Sequence, residues 1–139
     1  MNESEGSSPS MQEGASASLT RTVTEEDVQS FSAATGDTNP VHLDPVAAAQ
    51  SVFGRRVAHG MLSAGLISAV LGTQLPGPGT IYLSQSLRFR GPVYLGDTVT
   101  ASVVVTSIDR DRHQCVLATT VRNEAGELLL DGEARVRLP

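Results

Sequence analysis

The chain has no tryptophan, no lysine and a single cysteine, Cys115, among its 139 residues. One thiol cannot form an internal disulfide, so a disulfide-held fold is excluded, and its strand-like surroundings predict a buried, inert side chain. Aromatic residues make up only 4%, so the core must be aliphatic. No apolar run approaches the roughly 18 residues of a membrane span. We therefore expect a soluble cytoplasmic protein with no membrane partner, or a mitochondrial matrix protein if the source is eukaryotic.

Positive charge is also scarce and carries no pattern. The formal net charge is −5, with ten basic residues that are all arginine. An acidic chain without a basic stripe argues against nucleic acid as a partner.

The length suits one domain with a real core. Residues 1–18 are rich in Ser, Gly and Glu and show no periodicity, so we expect a disordered N-terminal tail and a folded domain over residues 19–139.

Helical signals fill the first half of that domain. Thr24 starts a helix that Gly36 ends, and Asp44 with Pro45 starts a shorter one. The stretch 59–71, "HGMLSAGLISAVL", has no charged face. A helix without a charged face is buried on most sides, so Ser63 and Ser68 would need hydrogen-bond partners there.

Alternating residues fill the second half. Four period-two segments run through 81–89, 99–105, 116–121 and 130–138, joined by short turns, and a fifth candidate strand lies at 19–23. The four later segments predict an antiparallel meander. An antiparallel sheet wrapped around one apolar helix is the hot-dog fold, so we predict a single α+β domain of that fold. Its exposed edges would be covered by pairing of two subunits, so we expect a homodimer.

The loop "GDTNPVHLD" holds the candidate acid–base pair, Asp37 and His42. Pro40 disfavours helical angles at Asn39, so the segment should bend and let both side chains reach one target. A carboxylate and an imidazole around a water molecule are suited to general acid–base catalysis. The same spacing also fits a surface turn capped by Asp37, with His42 packed at the surface.

Gly60 opens the buried helix, where a backbone N–H is unpaired and the helix dipole is positive. That N–H could polarise a carbonyl oxygen, although a plain N-terminal turn explains the glycine too. His59 is interpreted as structural or pocket-lining and His113 as solvated. The three histidines are spread along the chain, so we predict no metal site. No "GxSxG" serine-hydrolase elbow occurs.

Three ordered blocks, "FSAATGDTNPVHLDP", "VAHGMLSAGLISAVLGTQLPGPGTIYLSQSL" and "GPVYLGDTV", resemble the MaoC-like (R)-specific enoyl-CoA hydratases. The similarity covers residues 20–139. It is closest to the short bacterial type that supplies polyhydroxyalkanoate synthesis, and it extends to the mitochondrial 3-hydroxyacyl-thioester dehydratase.

The resemblance implies a hot-dog homodimer that reversibly hydrates trans-2-enoyl thioesters to (R)-3-hydroxyacyl thioesters. It implies that Asp37 and His42 hold the reacting water, that Gly60 binds the thioester carbonyl through its N–H, and that Ser68 is a pocket serine on the aspartate side. No cofactor is implied, since CoA or an acyl-carrier arm serves as the substrate's handle.

Two other functions stay open at this stage. A hot-dog acyl-CoA thioesterase commonly carries a carboxylate on the central helix, and residues 59–71 contain no Asp or Glu. A non-catalytic acyl-binding module would not need the Asp37–His42 pair.

Overall fold

The computed structural model of the protein describes residues 11–139. Helices fill the first half and strands most of the second. The elements are β1 (Ser16–Thr22), α1 (Glu25–Thr35), α2 (Pro40–Leu43), α3 (Pro45–Ala49), α4 (Gly60–Thr73), β2 (Ile81–Gln85), β3 (Arg88–Phe89), β4 (Thr98–Asp109), β5 (Gln114–Asn123) and β6 (Leu128–Arg137). No helix within residues 11–139 has both the length and the apolar character needed to cross a membrane.

The boundaries of α1 follow from capping chemistry, as the sequence predicts. The Thr24 hydroxyl accepts a hydrogen bond from the Asp27 N–H, and the Asp27 side chain accepts one from the Thr24 N–H. Gly36 ends the helix with a φ of 81°, a left-handed conformation that glycine adopts without steric cost.

The predicted α+β hot-dog architecture is confirmed: one antiparallel sheet wraps the central helix α4. The sheet order is β1-β4-β5-β6-β2, with β3 also paired to β6. The inward positions of β4 are Val99, Ala101, Val103 and Val105, all at most 1% exposed, and they pack with Leu66, Ile67, Val70 and Leu71 of α4.

The predicted four-strand meander is only partly right. Strands β4, β5 and β6 follow one another, but β2 and β3 lie beside β6 at the far edge rather than beside β4. Side-chain alternation determines which face a residue takes and leaves the neighbouring strand undetermined. The segment between β2 and β3 lies very close to β6: a Cβ added to Gly132 would lie 1.8 Å from the Ser86 carbonyl oxygen.

The N-terminal boundary also differs from the expected one. Strand β1 begins at Ser16, three residues before Leu19, because Ser16–Thr22 pairs with Thr98–Val104 along its whole length. Met11 and Ala15 pack against the core, and the Gly14 N–H donates to the Val105 carbonyl. Residues 11–18 therefore belong to the domain, while residues 1–10 of the expected tail lie outside the described part of the chain.

Helix α4 is buried on most sides but not on all. Leu62, Ser63, Ala64, Leu66, Ile67, Val70 and Leu71 are buried. One stripe, made of Met61, Gly65, Ser68 and Gly72, is exposed. The expectation that Ser68 is a buried hydroxyl is therefore wrong, because its place on the helix turns it away from the sheet.

Candidate active site

The predicted acid–base pair lies beside the start of α4, on the segment between α1 and α3. The structure makes this segment partly helical, against the expectation of a purely bent loop. Asn39 caps α2 by accepting from the Val41 N–H, and Pro40 occupies the first helical position, where its missing N–H costs nothing. The single turn of α2 carries His42 into the protein.

His42 is nearly buried, with 9% of its surface exposed. Its Nδ1 lies 2.7 Å from the Val57 carbonyl oxygen. A carbonyl oxygen only accepts, so Nδ1 must carry the proton and donate it. Nε2 of the neutral ring then has a free lone pair, which is the form that a general base requires.

A short strap, residues 56–57, holds His42 from behind. The Arg56 Nε donates to the His42 carbonyl at 2.8 Å, and the Val57 N–H donates to the Val41 carbonyl. Arg56 also grips Glu25 at the start of α1, through hydrogen bonds of 2.5 and 2.7 Å. The guanidinium lowers the pKa of Glu25 from 4.5 to about 2, with a smaller contribution from Gln29.

Asp37 is held more loosely than His42. Its side chain is exposed, and its Oδ1 accepts one hydrogen bond of 3.2 Å, from the Asn39 N–H. A carboxylate oxygen of Asp37 nevertheless lies within 4.8 Å of a ring nitrogen of His42. The predicted convergence of the two side chains is confirmed.

His59 joins the same cluster, which the sequence did not show. Ligand atoms of Asp37, His42 and His59 all lie within 4.8 Å of one another. The expectation of well-separated histidines is therefore wrong, because the fold closes a gap of 17 residues between His42 and His59. The spacing alone would admit a metal ion.

The donor set does not fit a metal ion well. The two imidazole rings are stacked, with centroids 3.9 Å apart and planes tilted by 31°. Ring-nitrogen lone pairs lie in the ring planes, so those of stacked rings run side by side instead of converging on one point. His42 Nδ1 and His59 Nε2 also both contact main-chain carbonyl oxygens.

Gly60 is the first residue of α4, so its N–H has no partner inside the helix. Within residues 11–139 no backbone acceptor is assigned to that N–H. The Cα faces the Phe89 ring, and an added Cβ would lie 2.7 Å from its Cε1. Glycine at this position keeps the start of α4 open to a ligand and lets Phe89 pack closely.

A cavity of about 690 Å³ extends from these residues into the protein. His42, His59 and Gly60 line one part of it. The rest is mostly apolar and includes Phe53, Val57, Met61, Phe89, Val93, Leu129 and Leu130. A smaller depression on the other side of the histidines is lined by Phe31, Thr35, Asp37, His42, His59, Gly60 and Met61.

Of the two serines of α4, Ser63 is buried as expected, but Ser68 does not take the pocket position expected for it. Ser63 lines the large cavity, one turn beyond Gly60, whereas Ser68 lines neither depression. Eight residues of helix separate Ser68 from Gly60, a rise of about 12 Å. The sequence could have indicated Ser63, because it lies one helical turn after Gly60. Whether Ser63 or Ser68 faces the cavity depends on where the sheet packs against α4.

On a hot-dog fold, His42 and the free N–H of Gly60 line an apolar cavity, and the Asp37 carboxylate lies beside them in the adjoining depression. A large apolar cavity with a few polar groups at one end is typical of a small-molecule site. The MaoC like domain model matches residues 7–126. The chain is 50% identical over 129 residues to the (R)-specific enoyl-CoA hydratase of Rhodospirillum rubrum, covering 93% of this chain and 89% of that protein.

A solved structure gives the same result. The (R)-hydratase from Aeromonas caviae involved in PHA biosynthesis superposes with a TM-score of 0.91 at 46% identity, covering 94% of this chain and 98% of that one. The mitochondrial 3-hydroxyacyl-[acyl-carrier-protein] dehydratase of Arabidopsis thaliana is 32% identical over 123 residues, covering 86% of this chain and 73% of that protein. The protein belongs to the MaoC-like domain family.

Proposed function

We propose that this protein is an (R)-specific enoyl-CoA hydratase, a cytoplasmic hydro-lyase that interconverts trans-2-enoyl-CoA and (R)-3-hydroxyacyl-CoA. The R specificity and the CoA thioester are supported by the 50% and 46% identical relatives that carry those names.

One observation carries the proposal: a carboxylate oxygen of Asp37 and a ring nitrogen of His42 lie within 4.8 Å of each other. Two hydrogen bonds of about 2.8 Å span up to about 5.6 Å, so one water molecule can bridge the pair. A water molecule held by two proton acceptors is set up to act as a nucleophile.

The tautomer of His42 suggests how the proton moves. Nδ1 donates to Val57, so the Nε2 lone pair can take a proton from the water as its oxygen bonds to Cβ of the enoyl group. The same nitrogen then returns that proton to Cα. The Asp37 carboxylate accepts the other hydrogen of the water and orients it. The water is consumed, both of its hydrogens end in the product, and dehydration is the reverse.

Negative charge develops on the thioester oxygen while Cα lacks its proton. The free Gly60 N–H, at the positive end of α4, is suited to stabilise that enolate. One such donor contributes about 2.7–4 kcal/mol to the transition state in characterised enzymes. The apolar cavity lined by Phe89, Val93 and Leu130 would hold the acyl chain.

The homodimer belongs to the same proposal. Both faces of β2 are exposed, with Ile81, Tyr82 and Leu83 at 54%, 40% and 45%. The exposed stripe of α4 contains two glycines, Gly65 and Gly72, which would let a second helix approach closely. Pairing of copies along this edge and this stripe would bury both surfaces.

The dimer would also give Ser68 a role. A two-fold axis near Gly65 would run the two α4 helices antiparallel and place the partner subunit's Ser68 opposite Met61, close to Asp37. Ser68 would then support the aspartate side of the neighbouring site, which it does not reach within its own protomer.

The test is loss of the ultraviolet absorbance of crotonyl-CoA, with chiral analysis of the product. We expect rapid hydration to (R)-3-hydroxybutyryl-CoA by the wild type. Asp37→Asn and His42→Ala should each be slower by at least about 100-fold. Full activity in either variant would remove that residue from the mechanism, and an S product would contradict the assignment.

Two controls separate the alternatives. Release of free thiol from acyl-CoA, measured in the same samples, would indicate a thioesterase instead. Comparing the hydration rates of crotonyl-CoA and crotonyl-carrier protein at equal concentration shows which thioester carrier is preferred, and we expect the CoA substrate to react faster. His113→Ala, in an exposed turn, is a matched histidine variant that should keep full activity.

A further inference from the structure

His59 is a buried polar residue that the proposed reaction does not use. It is 2% exposed, and it caps α4 without any hydrogen bond from its side chain to the helix. Its ring lies between two others, with centroids 4.6 Å from Phe31 and 3.9 Å from His42. Burying an imidazole costs free energy unless its ring nitrogens form hydrogen bonds.

The contacts of Nε2 determine which tautomer His59 adopts. Nε2 lies 3.1 Å from the Asp37 carbonyl oxygen and 3.1 Å from the Ser32 hydroxyl. The carbonyl can only accept, so Nε2 must carry the proton. Nδ1 is buried and has no hydrogen-bond partner in the described protein. A proton on Nδ1 would be a buried donor without an acceptor, so the ring is the neutral Nε2–H form.

The stacked histidines therefore hold opposite tautomers. His42 is protonated on Nδ1, which donates to Val57, and His59 is protonated on Nε2, which donates to Asp37. Each proton is fixed by a main-chain carbonyl. The Nε2 lone pair of His42 stays free for proton transfer. The Nε2–H of His59 instead donates to the main-chain carbonyl of Asp37.

We propose that His59 is the positioning residue of this site: it ties the main chain of Asp37, supports the His42 ring and leads directly into Gly60. One side chain thereby connects the three groups that would contact water and substrate. The Asp37 carboxylate needs such a tie, since its exposed side chain accepts only one protein hydrogen bond, from the neighbouring Asn39. The inference that this tie matters for turnover rests on the proposed hydration.

The kinetic test uses three variants. His59→Phe keeps a flat ring and loses the donor, so kcat should fall by about 10- to 100-fold while KM changes less than about threefold. His59→Gln carries an amide N–H that can reach the Asp37 carbonyl, and it should recover most of kcat. Ser32→Ala removes the other Nε2 contact and leaves the Asp37 contact, so it should stay within about threefold of the wild type.

Two kinetic results would overturn the role. One is an equal loss in Ser32→Ala and His59→Phe, and the other is a rise in KM with kcat unchanged. Melting temperatures of all three variants identify any that fail to fold, and the Gln variant remains informative if the Phe variant is lost.

A measurement on the wild type is independent of activity. Long-range ¹H–¹⁵N spectra of labelled protein at neutral pH should show Nδ1–H for His42 and Nε2–H for His59, with exposed His113 as the internal reference. The same tautomer for both buried rings, or a doubly protonated His59, would refute the proposal. Opposite tautomers in a protein that fails to hydrate crotonyl-CoA would leave the tie intact and reject the proposed reaction.

Discussion

Asp37 and His42, the proposed catalytic pair, are held very differently. His42 is 9% exposed, and the strap at residues 56–57 contacts both its ring and its main chain. Asp37 is exposed, and its carboxylate faces the side of the molecule that also carries Met61, which is 53% exposed. The chain by itself thus completes the surroundings of His42, while the carboxylate side stays open to solvent.

This difference indicates that the chain by itself encloses His42, whereas the proposed dimer would complete the Asp37 side. Every contact that fixes the His42 tautomer comes from the same protomer. On the Asp37 side lies Met61, which belongs to the exposed stripe of α4 that the proposed dimer would cover. Disrupting the interface should therefore affect the Asp37 side, and changing the strap should affect the His42 side.

The largest effect should come from Gly65→Arg. An added Cβ at Gly65 meets nothing within 4 Å, and arginine is a better helix former than glycine, so the protomer should fold at least as well. A guanidinium in the centre of the stripe cannot be buried between two helices. We expect a mass near 14.6 kDa by light scattering, instead of twice that value, and activity lower by more than about 100-fold.

Ala118→Arg is the matched control for this variant, since Ala118 is exposed on the outer face of β5. It should remain dimeric and active. A fully active monomer of the Gly65 variant would show that the Asp37 side of the site needs no second chain.

Gly60→Ala should have the next largest effect. The N–H is retained, but the new Cβ would lie 2.7 Å from Phe89, so the ring must move from the mouth of the cavity. We expect kcat/KM for crotonyl-CoA to fall about tenfold, because a displaced ring would shift the substrate from its reactive position. Adding Phe89→Ala should restore most of the loss; a double variant as slow as the single one would place the damage in the helix start itself.

Arg56→Met tests the strap. It removes the hydrogen bonds to the His42 carbonyl and to Glu25 while keeping the apolar stem. We expect kcat to fall about threefold to tenfold and the melting temperature to fall by a few degrees. Arg21→Met breaks a different arginine–carboxylate ion pair, with Asp27, which touches no site residue. That variant should leave kcat unchanged, and equal losses in both would argue against a role for the strap in catalysis.

The smallest effect should be the pH dependence of the Glu25–Arg56 pair. The folded-state pKa of Glu25 is lowered from 4.5 to about 2 by Arg56, so the pair stabilises the fold above about pH 4.5 and loses that contribution as the pH falls towards 2. Urea midpoints of wild type and Glu25→Gln should differ at pH 7 and converge near pH 2. The exposed position makes the difference small and sensitive to salt, and a constant difference at all pH values would contradict this account.

Much of the fold was predictable because local chemistry encodes it. The capping residues of α1, the uncharged run of α4 and the alternation in β4, β5 and β6 each have a physical cause within a few residues of sequence. Asp37 and His42 were found for the same reason, since five residues around a proline can bring two side chains together. The one-turn helix at Pro40–Leu43 was missed, because Asn39 and Pro40 favour a bend and a helix start equally well.

The sequence by itself determined the types of the longer elements, the buried character of α4 and the proximity of Asp37 to His42, because each depends on short-range capping, periodicity and spacing. Only the tertiary structure decided that β2 lies beside β6, that Ser63 faces the cavity while Ser68 faces outward, and that His59 stacks on His42. These outcomes join residues far apart in the chain. They depend on how the sheet wraps around α4, and short-range sequence patterns do not predict that packing.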